Sequence, residues 1–190
     1  LYSEATQSSF SSPSRSLDSQ YIYVADKKTS KVFAVSAYTR EILQSYDVKT
    51  PARPYTSPAG YFLYLLDEEN GKFTAIQQHQ FAPFAEVDLE TGIDTVVVGQ
   101  FDRMNLLLST KNKNYYLFDN NSKSVTLESE FEYIPLSAEA TADGKTAFVS
   151  FSDAPFIAAI NLVSGAISYF DATNNGVGIS AAGLSNTVCH

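Results

Sequence analysis

Residues 61–78, YFLYLLDEENGKFTAIQQ, read as two strands joined by a tight turn. Tyr61 to Asp67 is an apolar, aromatic run, and Asn70-Gly71 tolerates positive φ at both centres of a hairpin turn. Lys72 to Gln78 then pairs back. The same unit recurs in YIYVAD from Tyr21, NLLLST from Asn105 and TAFVSFSD from Thr146, so successive starts lie 40, 44 and 41 residues apart. A repeat of ~42 residues built from short strands has the length of one β-propeller blade, a four-stranded sheet that cannot bury both faces without neighbours. The expected fold is all-β: a propeller of about four blades, either complete or an incomplete part of a larger ring.

Blades are expected near 20–50, 51–93, 94–131 and 132–171, with a final strand at 175–188 and a single domain over 20–190. Residues 1–19, rich in serine and without sustained periodicity, read as a flexible leader or a partial strand. In the first unit Tyr21, Tyr23 and Ala25 alternate with Ile22 and Val24, so both faces of that strand are expected to be buried. Residues 79–93, HQFAPFAEVDLETGI, are longer than a blade turn needs and read as an inserted hairpin or loop. Two closures are open: residues 178–184 complete the first blade of a compact ring, or a fifth blade begins there. The second predicts self-association through unfinished edges.

Charge and composition narrow the function classes. A net charge of -8 with 13 dispersed Lys and Arg repels a phosphate backbone and argues against nucleic acid. No apolar run exceeds six residues, far short of a membrane-spanning helix, so no membrane insertion is expected. Abundant Ser, Thr, Asn and Tyr with modest Lys, a sequon at Asn120-Asn121-Ser122, and a first residue that is Leu favour a mature periplasmic or secreted protein, or an excised fragment.

The units YIYVADKKTSKVFAVSAYTREILQSYDV, SPAGYFLYLLDEENGKFTAI and ADGKTAFVSFSDAPFIAAINLVSGAISYFD resemble the YVTN-type, WD40-like propeller repeats over about residues 20–188. PARPYTSPAG followed by YFLYLLDEENGKFTAI is also similar to the propellers of bacterial periplasmic zinc metallochaperones. That second resemblance implies zinc handling through histidine-rich loops, whereas residues 79–93 supply only His79.

His79, Cys189 and His190 are the only imidazole and thiol groups, hence the candidate metal ligands, with zinc as the alternative to having no cofactor. No G-x-S-x-G elbow and no D-x-[DN]-x-[DN]-G loop occurs, and the carboxylates of Asp67-Glu68-Glu69 and of Glu86, Asp88 and Glu90 read as solvated turn and strand acids. No enzyme is expected. The repeat alignment places Arg53, Tyr55, Thr56, Tyr133, Ser137 and Glu139 on inner strands near the channel, so Arg53, Tyr55, Tyr133 and Glu139 are the candidate ligand-binding residues. Asp26, Asp67 and Asp153 close strands at equivalent places and are expected to hold turns. The function read from the residues is a binding or scaffold module for a protein or small ligand, through the channel mouth and the second-blade insertion. Metal handling is one rival, and a propeller enzyme of quinoprotein or lactonase type is another.

Overall fold

Large apolar side chains at alternate positions, interrupted by turns rich in Asp, Asn and Gly, dictate short strands joined by hairpins. The computed structural model describes residues 10–11, 13–48, 54–90, 92–99 and 101–171, and no helix occurs among them. The first sheet contains β1 (Ser14–Arg15), β2 (Tyr21–Asp26), β3 (Lys31–Ser36) and β4 (Ile42–Asp47). The second contains β5 (Tyr55–Thr56), β6 (Phe62–Asp67), β7 (Lys72–Gln77) and β8 (Ala82–Asp88). The third contains β9 (Thr95–Val98), β10 (Met104–Leu108), β11 (Asn114–Asp119) and β12 (Ser124–Glu130). The fourth contains β13 (Pro135–Ala140), β14 (Thr146–Phe151), β15 (Phe156–Asn161) and β16 (Ile167–Asp171). Each sheet is an antiparallel meander, and the inner strands meet in turn, β1 with β5, β5 with β9 and β9 with β13. This is the blade arrangement of a β-propeller, with four blades among the described residues.

Alternate side chains point to opposite faces, so each sheet offers one face to the sheet before it and one to the sheet after. Tyr23, Ala25, Val32 and Ala34 of the first sheet pack with Leu63, Leu65 and Ile76 of the second. Tyr64, Leu66, Phe73 and Ala75 on the opposite face of the second pack with Val96, Leu107, Tyr116 and Phe118 of the third. Leu106, Leu108, Tyr115 and Leu117 of the third pack with Ala147, Val149, Ala158 and Ile160 of the fourth. Aromatic rings fill these seams: Tyr64 and Phe73 stack at 5.6 Å, and Phe118 meets Phe73 edge-on at 5.0 Å. Among the described residues no such cluster joins the fourth sheet to the first.

Several expectations change. Residues 79–93 hold no insertion: they contain the β7–β8 turn and β8, paired along β7 from Lys72↔Asp88 to Gln77↔Ala82. Pro83 obscured this strand, yet an outer edge tolerates a missing donor. The β2 strand buries Tyr23 and Ala25 fully on the face towards the second sheet, whereas on the other face Ile22 is 37% exposed and Val24 half-buried, since among the described residues no sheet precedes the first. Ser14 and Arg15, inside the stretch read as a leader or a partial strand, pair with Tyr23 and Ile22. The place on the inner edge of β2 offered to residues 178–184 is therefore held by β1. Residues 178–184, and the whole expected strand at 175–188, lie outside the described residues.

Gly71 shows how a local rule is enforced by packing. Its φ of 62° is the left-handed value expected of the turn, and an added Cβ would collide with the carbonyl oxygen of Leu89. The Gly71 carbonyl in turn accepts a hydrogen bond from the Leu89 backbone N–H at 2.6 Å. That bond ties the end of β8 to the β6–β7 turn.

Candidate functional site

The turns β2–β3, β6–β7, β10–β11 and β14–β15 lie at one rim of the four sheets. Acidic residues organise it, Asp26 and Asp67 within their own turns as expected and Asp153 by a longer reach. Asp26 accepts from Lys28 N at 3.0 Å and from Thr29 Oγ1 at 2.7 Å, and Asp67 accepts from Asn70 N at 3.2 Å and Asn70 Nδ2 at 2.7 Å. Asp153 accepts from the backbone N–H of Ile134 at 2.8 Å, while in the third sheet Ser109 Oγ takes this place by accepting from Lys111 N and Asn112 N, each at 3.0 Å.

Where the first and second sheets meet at this rim, an open cleft of about 610 Å³ is lined by Thr29, Ser30, Asp47, Val48, Asp67, Asn70, Lys72 and Glu86. Its charges sit on cross-strand neighbours. Lys31 on β3 pairs with Asp47 on β4 at 2.5 Å, and Lys72 at the equivalent place on β7 pairs with Glu86 on β8 at 2.8 Å. The hydrogen bond to Glu86 raises the pKa of the Lys72 ammonium. With Asp47, Asp67 and Glu86 against Lys72, the cleft lining has a surplus of negative charge. It suits a cationic group presented by a partner.

A second polar feature is buried between the second and third sheets. Ser57, Tyr64, Asp102, Asn105 and Asn120 are each no more than 4% exposed. Ser57 Oγ donates to Asp102 Oδ2, and Asn120 Nδ2 donates to Tyr64 Oη at 2.7 Å and to the Asp102 carbonyl. Asp102 Oδ1, Asn120 Oδ1 and both amide atoms of Asn105 lack a protein partner. Burial pushes the Asp102 carboxyl up from its ordinary 3.8 to about 6, against the opposing pull of the Ser57 hydroxyl and of the nearby backbone N–H groups of Tyr61 and Ala59. Burial also raises the pKa of the Tyr64 phenol. This network pins two sheets together and carries a carboxyl that burial holds well above the usual carboxylate range.

Asn105 was legible in the sequence as a polar residue where the other repeats carry Ile22, Leu63 and Ala147. Ser57, Asp102 and Asn120 gave no such signal, because each belongs to a turn where polar residues are ordinary.

The three candidate binding residues that the structure describes are not brought together. Tyr55 on β5 lies half-buried in the second seam, its hydroxyl donating to the Asp94 carbonyl at 3.2 Å. Tyr133 stands before β13 in an aromatic cluster with Phe156 at 5.5 Å, Phe151 at 5.6 Å and Tyr169 at 6.0 Å. Glu139 is exposed on β13 and points to the opposite face of that sheet, in register with Phe148. Burial of the carboxyl raises the pKa of Glu139. Arg53 lies outside the described residues. His79 is exposed in the β7–β8 turn with its ring 6.1 Å from that of Tyr21, and Cys189 and His190 lie outside the described residues. Among the described residues no three His, Cys, Asp or Glu side chains gather into a metal-holding group.

No protein-family model matches the chain, and no curated protein matches its sequence. Solved structures do match. Hydrazine synthase of Kuenenia stuttgartiensis is similar at 14% identity and a TM-score of 0.69, over 90% of this chain and 52% of that one. The dihydro-heme d1 dehydrogenase NirN, in complex with DHE, is similar at 16% identity and a TM-score of 0.67, over 82% of this chain and 36% of that one. The chain thus spans about half the length of the first and about a third of the second. Both are β-propeller proteins, and at these identities the likeness is one of fold: this chain is similar to a β-propeller.

Proposed function

We propose that this chain is a non-catalytic binding or scaffold module with YVTN-type repeats, periplasmic or secreted, that engages a protein partner through the loop-bearing rim. The observation that carries the reading is the acidic cleft between the first and second sheets, large enough for one or two side chains and framed by the Lys31–Asp47 and Lys72–Glu86 pairs. A Lys or Arg side chain entering there meets a carboxylate surplus without displacing a hydrophobic core. The contact therefore belongs to the rim rather than to an insertion in the second blade, since residues 79–93 are β8 and its turn.

Titration calorimetry with a Lys- and Arg-rich peptide, against an acidic peptide of equal length, tests the reading. Binding of the basic peptide that falls about tenfold in the double variant Asp47→Lys, Glu86→Lys supports it. Equal binding of both peptides, or none, overturns it.

A catalytic reading is favoured by one observation, that the two similar structures are named as enzymes. It belongs here only as a rival, of quinoprotein or lactonase type, and assays for those turnovers on the same preparation distinguish it. Zinc handling is the other rival, and its support is the resemblance of the repeats together with His79. Elemental analysis of the purified chain decides between one bound zinc and none.

A further inference from the structure

The triplet Asn120-Asn121-Ser122 has the form of an N-glycosylation acceptor, and no other Asn-x-Ser or Asn-x-Thr triplet occurs in the sequence. The fold sets it in the β11–β12 turn. The Asn120 backbone N–H donates to the Arg103 carbonyl at 2.8 Å, and Asp119 holds the turn by accepting from Asn121 N at 2.8 Å. Asn120 turns its side chain inward between the second and third sheets and is 4% exposed, whereas Asn121 and Ser122 beside it are exposed.

N-glycosylation forms a bond between the Asn side-chain nitrogen and C1 of a sugar; the lipid diphosphate that carried the sugar leaves, and the nitrogen gives up one of its two protons. At Asn120 both protons are in use, one towards Tyr64 Oη at 2.7 Å and one towards the Asp102 carbonyl. A substituted nitrogen keeps a single N–H, so one of the two buried acceptors loses its donor. Space forbids the product as well. Tyr64 and Phe118 are fully buried and Asp102 is nearly so, and a sugar is bulky, polar and suited to a surface. Attached to Asn120 Nδ2, it would stand where the second sheet packs on the third.

We infer that Asn120 is an acceptor closed by the fold: a sugar can reach it only before the second seam forms, and a chain that carries one there cannot close that seam. Attachment and native packing exclude each other. The triplet is therefore no mark of a glycosylated protein, and Asn120 serves the seam instead.

Expression of the full chain behind a signal sequence in a eukaryotic secretory host tests this, with sugar occupancy read by mass spectrometry in the secreted and in the retained protein. Ser122→Ala together with Lys123→Ser moves the triplet by one position, so that the exposed Asn121 becomes the acceptor. Serine suits the positive φ of 57° at position 123, as Ser30 shows at 55°. Wild-type protein that is secreted and folded by circular dichroism should be free of sugar at Asn120, and the shifted variant should be secreted with sugar at Asn121 and melt as the sugar-free chain does. Where the wild type is wholly retained, the retained chains should carry the sugar and Ser122→Ala alone should restore secretion. Secreted protein with sugar on Asn120 and an unchanged melting temperature overturns the inference. So does a shifted variant whose secreted protein is also sugar-free, since burial of Asn120 is then not the cause, and so does retention that survives Ser122→Ala.

Discussion

The side-chain amide of Asn120 donates a 2.7 Å hydrogen bond to the hydroxyl of Tyr64, joining the third sheet to the second across 56 positions of sequence. The same nitrogen also donates to the Asp102 carbonyl, so a turn and a core tyrosine share one donor. Replacing Asn120 with Ala leaves both acceptors buried without it. A loss of about 1–3 kcal/mol is expected in urea unfolding. Asn105→Leu, by contrast, removes two buried amide atoms that have no protein partner and installs the residue found at the equivalent Leu63, so no loss or a gain of about 1 kcal/mol is expected.

Asp102 sets a pH dependence. Its folded pKa of about 6 lies above the ordinary 3.8, so the folded state binds the proton more tightly than the unfolded chain. Its contribution to stability is fully present below about 4, falls as pH rises towards about 6, and is level above that, a change of about 3 kcal/mol in all. Asp102→Asn should flatten this slope and raise Tm relative to wild type at pH 8 more than at pH 4. An unchanged difference between the two proteins across that range would show that Asp102 does not titrate as argued.

Tyr133 separates a packing role from a ligand-binding one. Its ring touches three others within 6.0 Å and belongs with the partly buried residues of the third seam. Tyr133→Ala should cost about 2–4 kcal/mol in chemical denaturation, and Tyr133→Phe should recover most of it. Wild-type stability in the alanine variant would return the residue to the list of ligand contacts.

Gly71→Ala places a methyl group at φ 62° against the Leu89 carbonyl oxygen. Destabilisation of more than about 1 kcal/mol is expected, with amide exchange rising first in β8, whose end hangs on that turn. The β10–β11 turn has no glycine at its centre, so exchange there serves as the control.

Much of the fold was legible in residues such as Tyr61 to Gln78, because strand alternation and turn chemistry are local and repeat along the chain. Asp26, Asp67 and Asp153 were read as turn holders on the same grounds; the hydrogen bonds of Asp26 and Asp67 are local ones, whereas Asp153 reaches back 19 positions to the Ile134 N–H. The β8 strand was misread because Pro83 argues against a strand until its place at an outer edge is known. The candidate site was less legible. Tyr55, Tyr133 and Glu139 were grouped by their nearness to inner strands, but one fills a seam, one fills an aromatic cluster and one faces outward, and sequence spacing does not report which way a side chain looks. The acidic cleft needs Asp47 and Glu86 to approach from two sheets, which no linear spacing states.

What the sequence by itself determined is the all-β character, the four-fold repeat and the position of nearly every turn, since these follow from the preferences of neighbouring residues. The tertiary structure alone decided which faces are buried and which polar groups meet in the second seam. Those outcomes depend on contacts between residues some 40 or more positions apart, such as Ser14 with Pro54 and Ser57 with Asp102. Such contacts exist only once the sheets have stacked, because the free energy that selects them comes from burial between sheets and not from any one strand.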